Sequence, residues 1–145
     1  MYRHILIPTD GSEAAEHGVT HGSALAKFAG AKVTVITVEE RVPRWLGVAE
    51  TGVAAAAARY EEEIKKHSAS VLDRVAKAVT QSGVPCDTTQ VQGVPYEAII
   101  ATATDRGCDL IVMASHGRSG LSAMVLGSVT NKVLTHTKTP VLVVQ

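Results

Sequence analysis

Five short runs of β-branched and other apolar residues alternate along this chain with longer segments whose apolar residues recur every three or four positions. Runs of the first kind are typical of strands, and the second spacing is typical of amphipathic helices. Strands that alternate with helices predict a parallel sheet with helices on both faces and right-handed crossovers. We therefore expect an α/β fold, an open doubly wound sheet of five parallel strands in the order 3-2-1-4-5, of Rossmann-like type.

The strand pattern and the two shorter helices can be located directly. Strands are predicted at His4 to Thr9, Lys32 to Val38, Cys86 to Gln92, Cys108 to Ser115 and Pro140 to Gln145. Short helices are predicted at Tyr96 to Gly107 and Gly127 to His136.

Two longer helices complete the pattern. The first should begin after the N-cap Ser12 and end at Gly30, with Phe28 among its residues at helical spacing. The segment Glu39 to Gly52 has no clear period and is predicted to be a loop. The second long helix follows from Val53, and its apolar stripe contains Tyr60, Ile64, His67, Val71, Val75 and Val79.

Composition narrows the class of protein. The 145 residues fit one domain, residues 1–145, and the chain has only 3% aromatic residues and a formal net charge of zero. A nucleic-acid binder normally carries a basic patch or aromatic stacking platforms, so no nucleic-acid partner is expected. No apolar run approaches the roughly 18 residues of a membrane-spanning helix, and the N-terminus lacks a cleavable apolar region. We expect a cytoplasmic protein with no membrane partner.

Cysteine and histidine usage points away from a metal held by the protein. Cys86 and Cys108 are too few for a disulfide framework and lack metal-site spacing. The six histidines are scattered, without a pair in a metal-binding motif.

Ligands of an open doubly wound sheet bind outside the carboxyl ends of its strands. The segments expected there are PTDGS after strand one, Val38 to Glu40 after strand two, and SHGRSGLSAMVLGSVT after strand four. The chain has no P-loop and no G-x-G-x-x-G after strand one, although Glu39 and Glu40 stand where a ribose-binding acid would. A response-regulator domain is excluded because strand three ends in Val91, Gln92 and Gly93 rather than in an acceptor aspartate.

The segment after strand four has the features of a phosphate site. Gly117 and Gly127 are separated by nine residues, and Gly127 with Ser128 opens a helix. Glycines let the backbone approach a ligand and adopt positive φ, and the N–H groups at a helix start favour an anion. Ser128 can add a hydrogen bond and Arg118 a charge. Asp10, after strand one, can reach a ribose hydroxyl or a metal-bound phosphate.

The adjacent Ser115 and His116 raise the possibility of a nucleophile and its base. Neighbouring side chains rarely reach the geometry that such a pair needs, and no third orienting acid is evident. No catalytic residue is therefore predicted.

Two stretches, HILIPTDGSEAA and DLIVMASHGRSGLSAMVLGSVTNKVLTHTKTPVLVV, resemble the universal stress protein family, and the resemblance covers the whole chain. In the nucleotide-binding branch of that family, the C-terminal motif is Gly, two residues, Gly, nine residues, Gly and then Ser or Thr. Gly117, the nine-residue spacer, Gly127 and Ser128 match this motif, whereas Ala114 replaces its first glycine.

The resemblance implies a cytoplasmic, mostly dimeric protein that binds ATP or AMP and is linked to stress survival. By position, Asp10 would meet the ribose, Val38 would face the adenine, and Mg²⁺ would be carried by the phosphates. The nucleotide-binding residues implied are Pro8, Thr9, Asp10, Val38, Met113, Ala114, Gly117, Arg118, Gly127, Ser128 and Val129.

Three functions remain open on these grounds. The first is a nucleotide-dependent regulatory switch that acts through unknown protein partners, and it is preferred because no general base for hydrolysis is evident. The second is a slow ATP hydrolase. The third is a protein that has lost the nucleotide and only binds partners, which Ala114 alone supports.

The last strand and the middle loop carry two further predictions. VLVVQ is apolar on both faces and lies at a sheet edge, which predicts a homodimer through this strand. The loop from Glu39 to Gly52, with the single tryptophan Trp45, is predicted to order over the adenine side when nucleotide binds.

Overall fold

Strands and helices alternate in the computed structural model, which describes residues 1–43, 51–117 and 125–145. The elements are β1 (His4–Pro8), α1 (Glu13–Ala29), β2 (Lys32–Glu39), α2 (Thr51–Gln81), β3 (Cys86–Gln92), α3 (Pro95–Asp105), β4 (Leu110–Ala114), α4 (Ser128–His136) and β5 (Val141–Val144).

The five strands form one sheet in the order β3-β2-β1-β4-β5, and every neighbouring pair is parallel. The predicted fold class and strand order are confirmed. Strands β1 and β4 lie at the centre, and the chain reverses its direction of winding between them. The carboxyl ends of β1, β2 and β4 therefore meet at one edge of the molecule, where a doubly wound sheet binds its ligands.

Helices cover the sheet on both faces and divide the core into two clusters. Helices α1 and α2 pack on the face that carries Ile5, Ile7, Val33 and Val35, all at most 1% exposed. Helices α3 and α4 pack on the opposite face, which carries Leu6, Ile36, Ile111 and Met113. Full burial of one such side chain stabilises the fold by about 1.5–3 kcal/mol, which explains how a chain with few aromatic residues builds its core.

Helix α1 has the predicted ends. The Ser12 hydroxyl accepts a hydrogen bond from the Ala15 N–H at 3.2 Å, and Gly30 closes the helix in the left-handed conformation at φ +68°. Phe28, which the sequence places among the apolar residues at helical spacing, is not part of the buried face, because it is 92% exposed. Two residues rotate a helix by about 200°, so a core position at Ala26 turns Phe28 towards solvent.

Two glycines bring α1 close to the sheet. A Cβ at Gly18 would lie 3.2 Å from the Ala114 backbone nitrogen, and a Cβ at Gly22 would lie 2.5 Å from Ile7 Cδ1. The small residues let the helix axis approach the strands, and they fix the start of α1 beside the carboxyl end of β4.

Some predicted boundaries shift. Strand β2 continues through Glu39, and α2 begins at Thr51 rather than at Val53. In α2, Val71, Val75 and Val79 are buried as the stripe requires, whereas Tyr60 is 59% exposed. The first turns of α2 thus extend beyond the core, and Trp45 of the loop lies outside the described residues.

Cys86 begins β3 and Cys108 lies two residues before β4, so β2 and β1 separate their strands, and both cysteines are free. Burial, together with the nearby Asp87 carboxylate, raises the pKa of each thiol to about 11, which keeps both protonated at neutral pH. In the described ranges, no helix combines the length and apolar character needed to cross a bilayer.

Candidate functional site

A cleft of about 960 Å³ opens at the carboxyl ends of β1, β2 and β4, with α2 along one side and the start of α4 on another. Ten of the eleven nucleotide-binding residues expected from the sequence line this cleft: Pro8, Thr9, Asp10, Val38, Met113, Ala114, Gly117, Gly127, Ser128 and Val129. The eleventh, Arg118, lies outside the described residues.

The turn after β1 holds Asp10 at the mouth of the cleft. The Thr9 N–H continues the sheet by donating to the Ile36 carbonyl at 2.9 Å, and the Ser12 N–H donates to Asp10 Oδ1 at 2.9 Å. Gly11, at φ +78°, permits the reversal between these two contacts. The turn therefore fixes one carboxylate oxygen of Asp10 against the start of α1.

Gly117 approaches the same carboxylate from the β4 side. A Cβ at Gly117 would lie 2.6 Å from Asp10 Oδ2. The loops after β1 and β4 are thus in contact across the cleft, and the second glycine of the motif lets them meet.

The start of α4 is held against the end of β4. The Gly127 N–H donates to the Ser115 carbonyl at 2.6 Å, and the Thr130 hydroxyl donates to the Ala114 carbonyl at 2.8 Å. A Cβ at Gly127 would lie 3.0 Å from Ser115 O and 3.1 Å from His116 Cα. Gly127 has φ −59°, so the positive φ expected of it is not found, and close contact with backbone is what requires a glycine.

The N-terminus of α4 differs from that of α1 in charge and capping. Gly127 supplies no side-chain cap to α4, and no acid lies in the first turn of that helix. Helix α1 is capped by Ser12 and carries Glu13 and Glu16 in its first turn. The N–H groups of the first turn of α4 have no intrahelical acceptor, so α4 presents the electropositive end to the cleft.

Apolar side chains line the α3 and α4 side of the cleft. Met113 and Ile99 belong to the core cluster on this face, Val38 packs against it, and Pro8 adds further apolar surface. A flat aromatic group fits such a wall better than a charged one.

Ala114 takes the position of the first glycine in the motif. Ala114 is 9% exposed, and its backbone nitrogen lies beside Gly18 of α1. The extra methyl group therefore adds little surface to the cleft.

The cleft lining also includes polar residues that were not among the predicted nucleotide-binding residues, notably Thr37 and Glu39 of β2, and His67 and Ser68 of α2. Glu39 had been noted only as a possible ribose-binding acid of a dinucleotide fold. His67 within an otherwise apolar stripe is the sequence signal that this part of α2 faces a polar space rather than the core.

A model of the universal stress protein family matches residues 1–145. The chain belongs to the universal stress protein family. A universal stress protein of Methanocaldococcus jannaschii is 33% identical over 157 aligned positions, which cover 100% of this chain and 96% of that protein. The resemblance identified in the two terminal stretches is thereby confirmed.

Solved structures of universal stress proteins share the fold. The protein UspA of Lactobacillus plantarum has a TM-score of 0.86 at 23% identity and covers 99% of this chain and 98% of its own. A universal stress protein in complex with cAMP has a TM-score of 0.69 at 24% identity, covering 99% and 97% of the two chains. One from Archaeoglobus fulgidus in complex with dAMP has a TM-score of 0.69 at 17% identity, covering 99% and 98%.

Proposed function

We propose that this universal stress protein is a regulatory module that binds an adenine nucleotide, ATP or AMP, in the cleft at the carboxyl ends of β1, β2 and β4. The observation that carries the proposal is the uncapped, acid-free N-terminus of α4, which opens into a cleft of about 960 Å³. Family members bound to cAMP and dAMP support an adenine nucleotide as the ligand class.

The phosphates are assigned to the start of α4. Backbone N–H groups of Ser128 and Val129 in the first helical turn point out of the helix, and the helix dipole favours an anion there. The exposed Ser128 hydroxyl adds one donor, and Gly117 keeps the opposite wall free of side chain. The glycine, serine and helix start together form a phosphate site without a P-loop lysine.

The base and sugar are assigned to the remaining walls. The apolar surface of Pro8, Val38 and Met113 suits a purine ring, and backbone groups beside Val38 can read its edge. Asp10, fixed by its turn, is placed to accept from a ribose hydroxyl.

Mg²⁺ fits this proposal only as an ion that arrives with the phosphates. Across the described residues, no group of three or more His, Cys, Asp or Glu side chains is placed to hold a metal. Mg²⁺ usually keeps several waters and takes most of its other ligands from phosphates, so it needs no protein cage here.

Binding rather than turnover is the proposed activity. Ser115 is 5% exposed and does not line the cleft, so its hydrogen bond to His116 at 3.1 Å does not present a nucleophile to a ligand. We propose that nucleotide occupancy alters the loops around the cleft and so controls association with protein partners in the cytoplasm.

Calorimetric titration with Mg-ATP and with Mg-AMP tests the proposal. We expect saturable binding of one nucleotide per chain, and we expect mass spectrometry of denatured protein to detect the nucleotide that co-purifies. A turnover assay on the same sample separates a switch from a slow hydrolase. Absence of binding to both nucleotides contradicts the proposal.

A further inference from the structure

Two polar side chains on the floor of the cleft have no place in the site described above. Thr37 and Glu39 are two residues apart on β2, so both lie on the face of the sheet that α1 and α2 cover. Thr37 is 4% exposed and Glu39 is 6% exposed, yet both line the cleft. Val38 lies between them and packs on the opposite face.

The Thr37 hydroxyl lacks a partner in the fold. Within the part of the chain that the structure describes, Thr37 Oγ1 is the buried side-chain polar atom that makes no hydrogen bond. Buried hydroxyl groups nearly always have a partner, because an unsatisfied one loses its hydration without compensation. Valine has the same shape without this cost, so a threonine at the floor of a cleft points to a partner that comes from outside the chain.

The Glu39 carboxylate is held in place beside it. The Gln90 side-chain amide donates to Glu39 Oε1 and also to the Lys65 carbonyl, the latter at 3.0 Å. These two contacts link the carboxylate to both β3 and α2. His67 and Ser68 of α2 also line the cleft.

The Glu39 carboxylate favours a ligand group that donates hydrogen bonds. An ionised carboxylate only accepts hydrogen bonds, and it repels a phosphate. Glu40 and Glu63 also line the cleft, and together with Glu39 they outnumber Arg41, which follows Glu40 in the lining, so this is the acidic side. The electropositive start of α4 lies at the other side, so the cleft has a charge polarity along its length.

We propose that Thr37 and Glu39 bind a hydrogen-bond-donating group of the nucleotide, either a ribose hydroxyl or the exocyclic amine of the base. The inference rests on the proposed function, because it takes the ligand to be an adenine nucleotide. Such binding makes Thr37 and Glu39 specificity-determining residues. It also orients the ligand, because the acidic side holds the donor group and leaves the phosphates to α4.

The test compares ligands that each lack one donor. ATP, 2′-deoxy-ATP, 3′-deoxy-ATP and the 6-unsubstituted purine riboside triphosphate are titrated into the unmutated protein, Thr37→Val and Glu39→Gln. We expect one analogue to bind the unmutated protein about fivefold or more weakly than ATP, the factor of one hydrogen bond. Thr37→Val or Glu39→Gln should bind ATP more weakly by a similar factor and lose the preference over that analogue. The analogue whose disadvantage disappears in Thr37→Val or Glu39→Gln identifies the donor that these two residues bind as sugar or base.

Thr89→Val is the matched control, because Thr89 faces Ile36 across the β2–β3 ladder and does not line the cleft. Its affinities should equal those of the unmutated protein. The melting temperature of ligand-free Thr37→Val should equal or exceed that of the unmutated protein, because the substitution removes an unsatisfied group. A lower melting temperature would assign the hydroxyl a partner within the fold and overturn the inference.

The remaining outcomes separate the two proposals. If ATP binds and all analogues and both variants bind equally well, the role of Thr37 and Glu39 is wrong while the proposed function stands. If neither ATP nor AMP binds the unmutated protein, the proposed function fails and this inference fails with it.

Discussion

Gly127 matters both for local packing and for the ligand site. Its backbone lies against Ser115 and His116, where a Cβ would approach Ser115 O to 3.0 Å, and it opens the helix that faces the cleft. A substitution at Gly127 therefore changes both local packing and the ligand site. Ser128, the next residue, is exposed, so a substitution there changes the ligand site without changing the packing.

Gly127→Val and Ser128→Ala test the phosphate assignment together. Gly127→Val should abolish Mg-ATP binding and also lower the melting temperature, because the branched side chain meets backbone. Ser128→Ala should keep the melting temperature and weaken binding by about 1 kcal/mol, or by up to about 3 kcal/mol if the hydroxyl bonds a charged phosphate. Calorimetry measures both, with Ser70→Ala on the exposed face of α2 as the control. Unchanged affinity in Gly127→Val contradicts the site assignment.

His4 lies at the opposite end of the sheet and couples stability to pH. It is 5% exposed, and its ring nitrogens contact the Arg106 carbonyl at 3.1 Å and the Thr34 hydroxyl at 2.8 Å. Burial, helped by the Lys32 charge, lowers the pKa of His4, although Asp87 and Asp109 act in the other direction. The folded protein therefore favours the neutral ring.

The sign of the pH effect follows from the lowered pKa. Below about 6.5, the ordinary pKa of histidine, the unfolded chain binds a proton that the folded protein resists, so stability declines as pH falls from 7 towards 5. Urea unfolding at several pH values measures this decline. His4→Gln should flatten the curve in that interval, and an equally steep curve in His4→Gln would assign the effect to other groups.

Among the elements, those with local signals were predictable and those shaped by distant contacts were not. Ser12 and Gly30 mark the ends of α1 by capping chemistry that needs only neighbouring residues. The continuous apolar run of β4 predicts a strand covered on both faces. The position of the Glu39 side chain, in contrast, depends on a hydrogen bond from Gln90, 51 residues away. A local sequence pattern does not indicate such a distant contact.

The same distinction applies to the candidate site. The glycine and serine pattern after β4 predicts a phosphate site because its spacing places a helix start beside a strand end. Thr37 has no such signal, since a threonine within a β-branched strand is typical of any sheet. Only the three-dimensional arrangement brings Thr37 to the cleft and leaves its buried hydroxyl without a partner among the described residues.

The first turn of α4 carries a prediction in which stability and binding change in opposite directions. Ser128→Asp places a carboxylate at the helix start, which should stabilise the protein by about 0.3–1 kcal/mol through the helix dipole. The same charge should repel phosphates and weaken Mg-ATP binding at least about tenfold. Ser128→Asn is the uncharged control. If Ser128→Asp binds Mg-ATP as tightly as Ser128→Asn, the phosphates lie elsewhere.

At the scale of the whole molecule, β5 is the last strand of the sheet, and no other strand among the described residues pairs with its outer edge. In β5, the carbonyls of Pro140 and Val144 accept from β4, which places the backbone groups of even-numbered residues towards that neighbour. The two-residue period of a strand then directs the N–H and C=O groups of Val141 and Val143 to the open edge. Leu142, 41% exposed, adds an apolar side chain to the same strand. Edge strands normally carry a charge or a proline, and Val141–Val144 contain neither.

We propose that this edge joins a second copy of the chain about a two-fold axis, so that the two β5 strands pair antiparallel and one sheet crosses the dimer. Val143→Pro removes one outward N–H and leaves the bonds to β4 intact, whereas Val143→Lys places a charge on the joined sheet. Both should shift a dimer to monomers without a large loss of melting temperature.

Thr88→Pro is the matched control, because it also removes an outward N–H, but at the opposite edge of the sheet. The Pro85 carbonyl accepts from β2, so the two-residue period directs the N–H of Thr88 away from β2, to the polar outer edge of β3. Light scattering across a dilution series measures the mass. A monomer at micromolar concentration for the unmutated chain contradicts the dimer, and a dimer that tolerates both Val143 substitutions places the interface on another surface.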